Sequence, residues 1–230
     1  MHPLDNVVWQ SLSTRHAALA ESYDQARRFV AEISTIGAFL EPSARGYSSL
    51  AHLVPSGQTV NLALDAPFEL AQPGWSLVAG RPMPQMVYER DGSELPSGPP
   101  PDLQILTLGA ADAAEMLVLT ELTKPGPFAR RTYELGTYLG IRCDGKLIAM
   151  AGERLKVPGF TEVSAICTHP EHTGRGYARI LTTELIRRIL GRGETPFLHV
   201  RKDNVRAIEL YERLGFRCRV VRYHAVLRRD

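Results

Sequence analysis

An apolar run, Val163-Ser164-Ala165-Ile166-Cys167, feeds directly into Thr168-His169-Pro170-Glu171-His172-Thr173-Gly174-Arg175-Gly176-Tyr177-Ala178, and then into the amphipathic stretch Arg179–Ile186. No other part of the sequence restricts the fold so tightly, because it predicts a strand, a glycine-punctuated turn and a helix in immediate succession. Gly174 and Gly176 allow backbone angles that other residues avoid and a close approach to a ligand. The first amides of the helix lack intrahelical partners and lie at the positive end of its dipole, so the turn can seat a phosphate or pyrophosphate. It is not a Walker loop, since no Gly-Lys-Ser/Thr follows. A dinucleotide fingerprint is also excluded, because the third glycine and the acidic residue about 20 positions on are missing.

A second segment narrows the chemistry. After Gly193-Glu194-Thr195 comes a short apolar strand, Pro196–Val200, and then a predicted helix from Asn204 to Leu214, stopped by Gly215-Phe216. Asn204, Ala207 or Ile208, and Tyr211 share one face of that helix. A polar residue at the helix start and a phenol two turns later therefore point toward the same place.

Together the two segments resemble the GNAT acyltransferase superfamily. Its cofactor motif, Gln/Arg-x-x-Gly-x-Gly/Ala, corresponds to the run Thr173–Ala178, and its Asn-x-x-Ala-x-x-x-Tyr-x-x-x-Gly-Phe pattern is matched from Asn204 through Phe216. The departure is Thr173, where the family usually carries Gln or Arg. The resemblance covers roughly residues 102–230. It implies an α/β fold with a mixed, mostly antiparallel central sheet flanked by helices, and acetyl-CoA as acyl donor. It also implies that Ile166, Cys167 and Thr168 meet the pantetheine arm and thioester, that Thr173, Gly174, Arg175, Gly176, Tyr177 and Ala178 hold the pyrophosphate, and that Asn204 bonds the cofactor arm. Tyr211 takes the place of the family's general acid. Glu162 lies at the position where histone-type members place a glutamate base.

The base remains open among Glu162, Glu134, Glu153 and a water relay. An alkyl ammonium of pKa about 10 must lose a proton before it can attack, and a departing thiolate gains from a proton donor. The oxyanion needs a fixed amide, which the resemblance places on the strand before the turn. The expected function is transfer of an acetyl group from acetyl-CoA to a primary amine by direct attack in a ternary complex. The alternative is a non-catalytic acyl-CoA-binding or regulatory protein of the same fold. The acceptor and the acyl chain length carry no sequence code.

The proline- and glycine-rich stretch from Asp91 to Pro101 predicts a linker, dividing the chain into 1–97, an N-terminal α/β extension or degenerate half-domain, and 98–230, the acyl-CoA-binding part. Beyond it, Leu103–Thr107 predicts a strand and Ala110–Thr123 a helix. Tyr138–Cys143 and Lys146–Arg154, joined at Asp144-Gly145, predict a hairpin. Thr161–Thr168 predicts the strand before the turn, and Arg222–Arg228 the last strand. In the N-terminal part, Leu4–Ser22 has helical spacing with Asp5 or Asn6 as a cap, while Val60–Leu64, Ser76–Val78 and Met86–Glu89 predict three short strands.

Charge agrees with a polyanionic ligand: from Pro170 onward there are 14 Lys/Arg against 7 Asp/Glu, although the whole chain of 230 residues carries only +2. No nucleic-acid-binding motif accompanies this excess, so nucleic acid is not expected as a partner. Neither a long apolar run nor a signal-like start is present, and Cys143, Cys167 and Cys218 lack zinc-site spacing, so a reduced cytoplasmic setting without membrane or metal is expected. His169 and His172 in one loop are not expected to bind metal. Trp9 and Trp75 are expected in the core, Cys167 as a small core thiol, and the chain as a monomer or homodimer.

Overall fold

Eight strands form one sheet whose order in space departs from their order along the chain. In the computed structural model, which describes residues 2–68, 72–96 and 98–230, five helices and eleven strands are laid out as follows. A small sheet holds β1 (Ala20–Tyr23), β2 (Ala26–Phe29) and β3 (Gly37–Phe39). The large sheet contains β4 (Thr59–Leu64), β5 (Trp75–Tyr88), β6 (Leu106–Leu108), β7 (Tyr138–Cys143), β8 (Lys146–Val157), β9 (Phe160–Thr168), β10 (Thr195–His199) and β11 (Phe216–Arg229). Its spatial order is β4-β11-β5-β10-β9-β8-β7-β6. Every pairing is antiparallel except β9 with β10. The helices are α1 (Val7–Ser13), α2 (Ala44–Leu53), α3 (Ala113–Thr123), α4 (Tyr177–Leu190) and α5 (Val205–Leu214). This is the mixed, mostly antiparallel α/β architecture that the sequence predicts.

The strand–turn–helix, the β7–β8 hairpin and α5 fall where the sequence places them. Asp144 and Gly145 both take positive φ, 48° and 77°, as a tight two-residue hairpin turn requires. Three expectations fall elsewhere. The helical spacing of Leu4–Ser22 yields α1 and one 3-10 turn, Ala17–Leu19, because Ala20–Tyr23 pairs with β2 instead. Asn6 occupies the N-cap position without a side-chain cap; its amide reaches Phe39 O at 2.9 Å. The final strand begins six residues earlier than expected, at Phe216, because the whole length of β5 is available to pair with it.

The third difference is β5 itself. Ser76–Val78 and Met86–Tyr88 are parts of one 14-residue strand that runs through Pro82 and Pro84 and ends just before Glu89. Proline cannot donate to a ladder, and within a sheet it survives only where its missing N–H faces no partner. The carbonyls of Pro84 and Pro82 accept from Val200 and Lys202, so these residues aim their hydrogen-bonding edge past the end of β10. There the neighbouring chain is leaving the sheet, and the ladder to β11 is kept by the alternate residues.

Because β5 lies between β10 and β11, residues on both sides of the expected boundary at 97/98 share one sheet. They also share core. Leu4, Val7 and Val8 pack with Leu135, Leu155, Val157 and Phe197, while Tyr47, Leu50, Val60 and Trp75 pack with Ala225 and Leu227. Burial of each such side chain stabilises the fold by about 1.5–3 kcal/mol. Ser97, inside the predicted linker, lies outside the described residues. No helix among the described residues is long and apolar enough to cross a membrane.

Candidate active site

The sheet opens where β9 and β10 part. They pair in parallel at Thr195 with Phe160, Pro196 with Thr161 and Phe197 with Glu162, and no further. Beyond that point β9 stays with β8 as far as Thr168, and β10 stays with β5 through His199. A register shift accompanies the parting: Met150 faces Cys167 and Gly152 faces Ser164, so Ala165 and Ile166 together oppose the single residue Ala151. Ala165 carries φ of +51° at this bulge. A bulge bends its strand and frees backbone groups from the ladder. The backbone of Ala165–Ile166 is thereby released beside the gap.

The gap leads into a cavity of about 730 Å³. One wall is β9 from Val163 to Thr168, and the opposite wall is Leu198–Val200 with Asn204 and Tyr211. Of the expected site residues, Ile166, Cys167, Thr168, Asn204 and Tyr211 line this space. The turn Thr173–Ala178 follows β9 through a 3-10 turn, Pro170–His172, and opens α4. Gly174 and Gly176 have φ of +82° and +80°, and a Cβ on either would meet nothing within 4 Å. Backbone angle, then, is what requires glycine here, and the space where a Cβ would sit is open. That arrangement fits an anion. The Thr173 hydroxyl donates to Pro170 O at 3.0 Å, which ties this side chain to the turn.

Tyr211 is nearly buried, and burial pushes its phenol well above the usual range, so it keeps its proton. Asn204 caps α5, its Oδ1 accepting from Ala207 N at 3.3 Å, which leaves its amide nitrogen unused by the cap. Burial pushes the Cys167 thiol up to about 11, and it remains a thiol near neutral pH.

Glu162 is fully buried and does not line the cavity. Arg154 clamps it with two bonds, Nε to Oε2 at 2.8 Å and Nη2 to Oε1 at 2.7 Å. His199 Nδ1 lies 2.6 Å from Oε1. Burial alone would raise this carboxyl, but Arg154 and the His199 N–H overcome that and hold it far below the ordinary carboxylate range. The two rival carboxylates are committed in the same way. Glu153, also buried, meets Lys156 at 2.7 Å and Arg192 at 2.8 Å, and Glu134 is clamped by Arg131 at 2.7 and 2.8 Å. Neither lines the cavity.

Sequence reasoning passed over His199, His224, Asn61, Arg81 and Arg154, all of which line the cavity. His199 and Arg154 carry a weak signal, since both alternate with apolar residues on strands next to the motif. His224, Asn61 and Arg81 carry none, because only the register of β11 with β4 and β5 brings them there.

A parting parallel strand pair with a bulge, a glycine turn at a helix start and a buried tyrosine across the gap define an acyltransferase site of the GNAT kind. The pattern of the FR47-like protein family matches residues 138–225. The N-alpha-acetyltransferase RimI of Mycobacterium tuberculosis is 36% identical over 129 residues, 50% of this chain and 80% of the relative. A mycothiol acetyltransferase of Mycobacteroides abscessus is 41% identical over 63 residues, 27% of this chain and 21% of the relative. Over the full length of both chains, the crystal structure of a protein from Novosphingobium aromaticivorans described as an acetyltransferase of the GNAT family is 35% identical, with a TM-score of 0.90. The chain belongs to the GNAT N-acetyltransferase superfamily.

Proposed function

We propose that this protein transfers an acetyl group from acetyl-CoA to a primary amine, with both substrates bound together. The observation that carries the proposal is the parting of β9 from β10 on the strand that feeds the Gly174–Gly176 turn. Pantetheine lies along the exposed edge from Ile166 to Thr168, with the freed backbone at the bulge directed to the thioester oxygen. The pyrophosphate rests on the amides of Gly174 to Ala178, with Arg175 and Thr173 at its margin, and the Asn204 amide bonds the arm.

The amine attacks the thioester carbon, the C–N bond forms, and the C–S bond breaks. Tyr211, held protonated by burial, gives its proton to the leaving sulfur and recovers one from solvent. A buried thiol at Cys167 has no thiolate with which to form an acyl-enzyme, which supports direct attack. Glu162 serves as a fixed negative charge behind His199, and the proton of the amine leaves through water. The acceptor is an amine of the kind carried at a peptide N-terminus, as the name of the mycobacterial relative suggests. Commitment of all three carboxylates to ion pairs also favours a second reading, an acyl-CoA-binding protein without turnover.

The decisive experiment supplies acetyl-CoA with free-N-terminus peptides, amino acids and polyamines, and follows thiol release. Amine-dependent release with intersecting initial-rate lines is expected, and Tyr211→Phe should lower kcat by about 10²–10⁴ while acetyl-CoA affinity is kept. Binding without release from any amine would favour the second reading.

A further inference from the structure

Two imidazoles line the cavity, and three of their four nitrogens are already engaged. His199 gives Nδ1–H to Glu162. Its Nε2 lies 3.2 Å from the amide nitrogen of Gln85. That amide is oriented by Arg219, which donates to Oε1 at 2.9 Å, and by Leu4 O, which accepts from Nε2 at 3.1 Å. The Gln85 N–H therefore donates to His199 Nε2, and neither nitrogen of His199 is left for a substrate.

His224 differs. Its Nε2 lies 2.7 Å from Asn61 Oδ1, and the Asn61 amide donates to Thr35 Oγ1 at 2.7 Å. An Asn oxygen only accepts, so Nε2 carries the imidazole proton and Nδ1 presents a lone pair. Among the described residues no protein group bonds Nδ1. Burial first, and then the charges of Arg81 and Arg154 and the presence of His199, lower the His224 pKa to about 4, which keeps the ring neutral near pH 7. Of the charged groups lining the cavity, Arg154 is spent on Glu162 and the carboxylate of Asp203 is held by Arg201 at 2.9 Å, while the charges that bear on the ring, Arg81 and Arg154, are both cations. In such a wall an exposed nitrogen lone pair is an acceptor for a ligand that brings N–H groups of its own.

We infer that His224 Nδ1 binds the N–H of the acceptor amine, and that Asn61, on the N-terminal strand β4, sets the tautomer that presents this lone pair. The inference rests on acetyl transfer to an amine at this cavity. An amine that donates one N–H to Nδ1 keeps its own lone pair for the thioester carbon. His224 therefore orients the nucleophile, and the proton released after attack passes to water. The N-terminal segment thus reaches the acceptor end of the cavity through Asn61, while the wall assigned to the cofactor is built from C-terminal residues.

The test uses the full chain with the best amine of the panel, and propylamine as a probe that needs no turnover. His224→Leu should raise the amine KM about tenfold, the equivalent of one lost hydrogen bond, and leave the acetyl-CoA Kd within about twofold. His224→Gln, which retains an acceptor oxygen, should recover part of the loss. Asn61→Leu should raise the amine KM without touching the cofactor half. An unchanged amine KM in His224→Leu would overturn the inference. Independently, ¹⁵N spectra of the imidazoles should show the Nε2–H form of His224 and a displacement of its Nδ1 resonance by propylamine in the CoA-saturated protein. A proton on Nδ1, or no displacement, would overturn it whether or not any amine turns over. Absence of thiol release from the wild-type protein would instead count against acetyl transfer, and the nitrogen spectra would still decide on His224.

Discussion

Glu162 Oε1 lies 2.6 Å from His199 Nδ1 across the last paired position of β9 and β10, where Glu162 faces Phe197. The contact ties the two halves of the sheet together at the point from which they part. With Arg154 on its other side, Glu162 is the closing element of a buried charge cluster.

Glu162→Gln should therefore act on the fold as much as on the chemistry. Removing one partner of a buried pair leaves the other charge uncompensated, at a cost of about 3–5 kcal/mol. Arg154 would be that charge. Urea unfolding of the variant should show a midpoint lowered accordingly. An unchanged midpoint would mean that the clamp contributes little to stability.

Acid should destabilise the protein from below about pH 6.5. His16 is buried against Ser11 and Leu135 O, and burial lowers it to about 4, as it does His224. Their folded pKa values lie below the unfolded 6.5, so between about 6.5 and 4 the unfolded chain binds more protons. Stability falls with pH across that window by up to about 1.4 kcal/mol per pH unit for each histidine. Below about 4.5 the carboxylate of Glu162 adds a loss of the same sign. Urea midpoints at pH 7.5, 5.5 and 4.5 measure the slope, which His16→Gln should flatten.

Gly176→Ala should cost about 1–2 kcal/mol of stability through its φ of +80°, since a Cβ there meets no atom. If the turn seats a pyrophosphate, the same change should weaken acetyl-CoA binding by more than dephosphorylated pantetheine binding. Calorimetry with both ligands separates a local backbone cost from a lost anion seat.

A chain starting at residue 98 should fail to form a native sheet. Without β5, β10 and β11 lose the strand between them, and Phe197 and Leu155 lose Leu4, Val7 and Val8. Near-ultraviolet circular dichroism of the fragment should be featureless. A fragment with native-like signal and cooperative melting would establish residues 98–230 as a domain that folds alone.

The parts of the site that read out of the sequence are local. The glycine turn, the Asp144-Gly145 hairpin and the Asn204–Leu214 helix each depend on residues within a few positions of one another, whose backbone angles and faces are fixed by short-range sterics. Strand β5 was illegible for the opposite reason. Pro82 and Pro84 break any local strand pattern, and only the departure of β10 on one side and the ladder to β11 on the other make a continuous strand tolerable.

The sequence by itself therefore determined the strand, turn and helix around Gly174 and Gly176, and with them the superfamily, because that segment is made of consecutive backbone. Only the tertiary structure decided the surroundings of Glu162, His199 and His224. Their partners, Arg154, Gln85 and Asn61, come from three different strands and are separated from them by 8, 114 and 163 residues. Protonation state depends on burial and neighbouring charge, and neither exists until the sheet has brought those strands together.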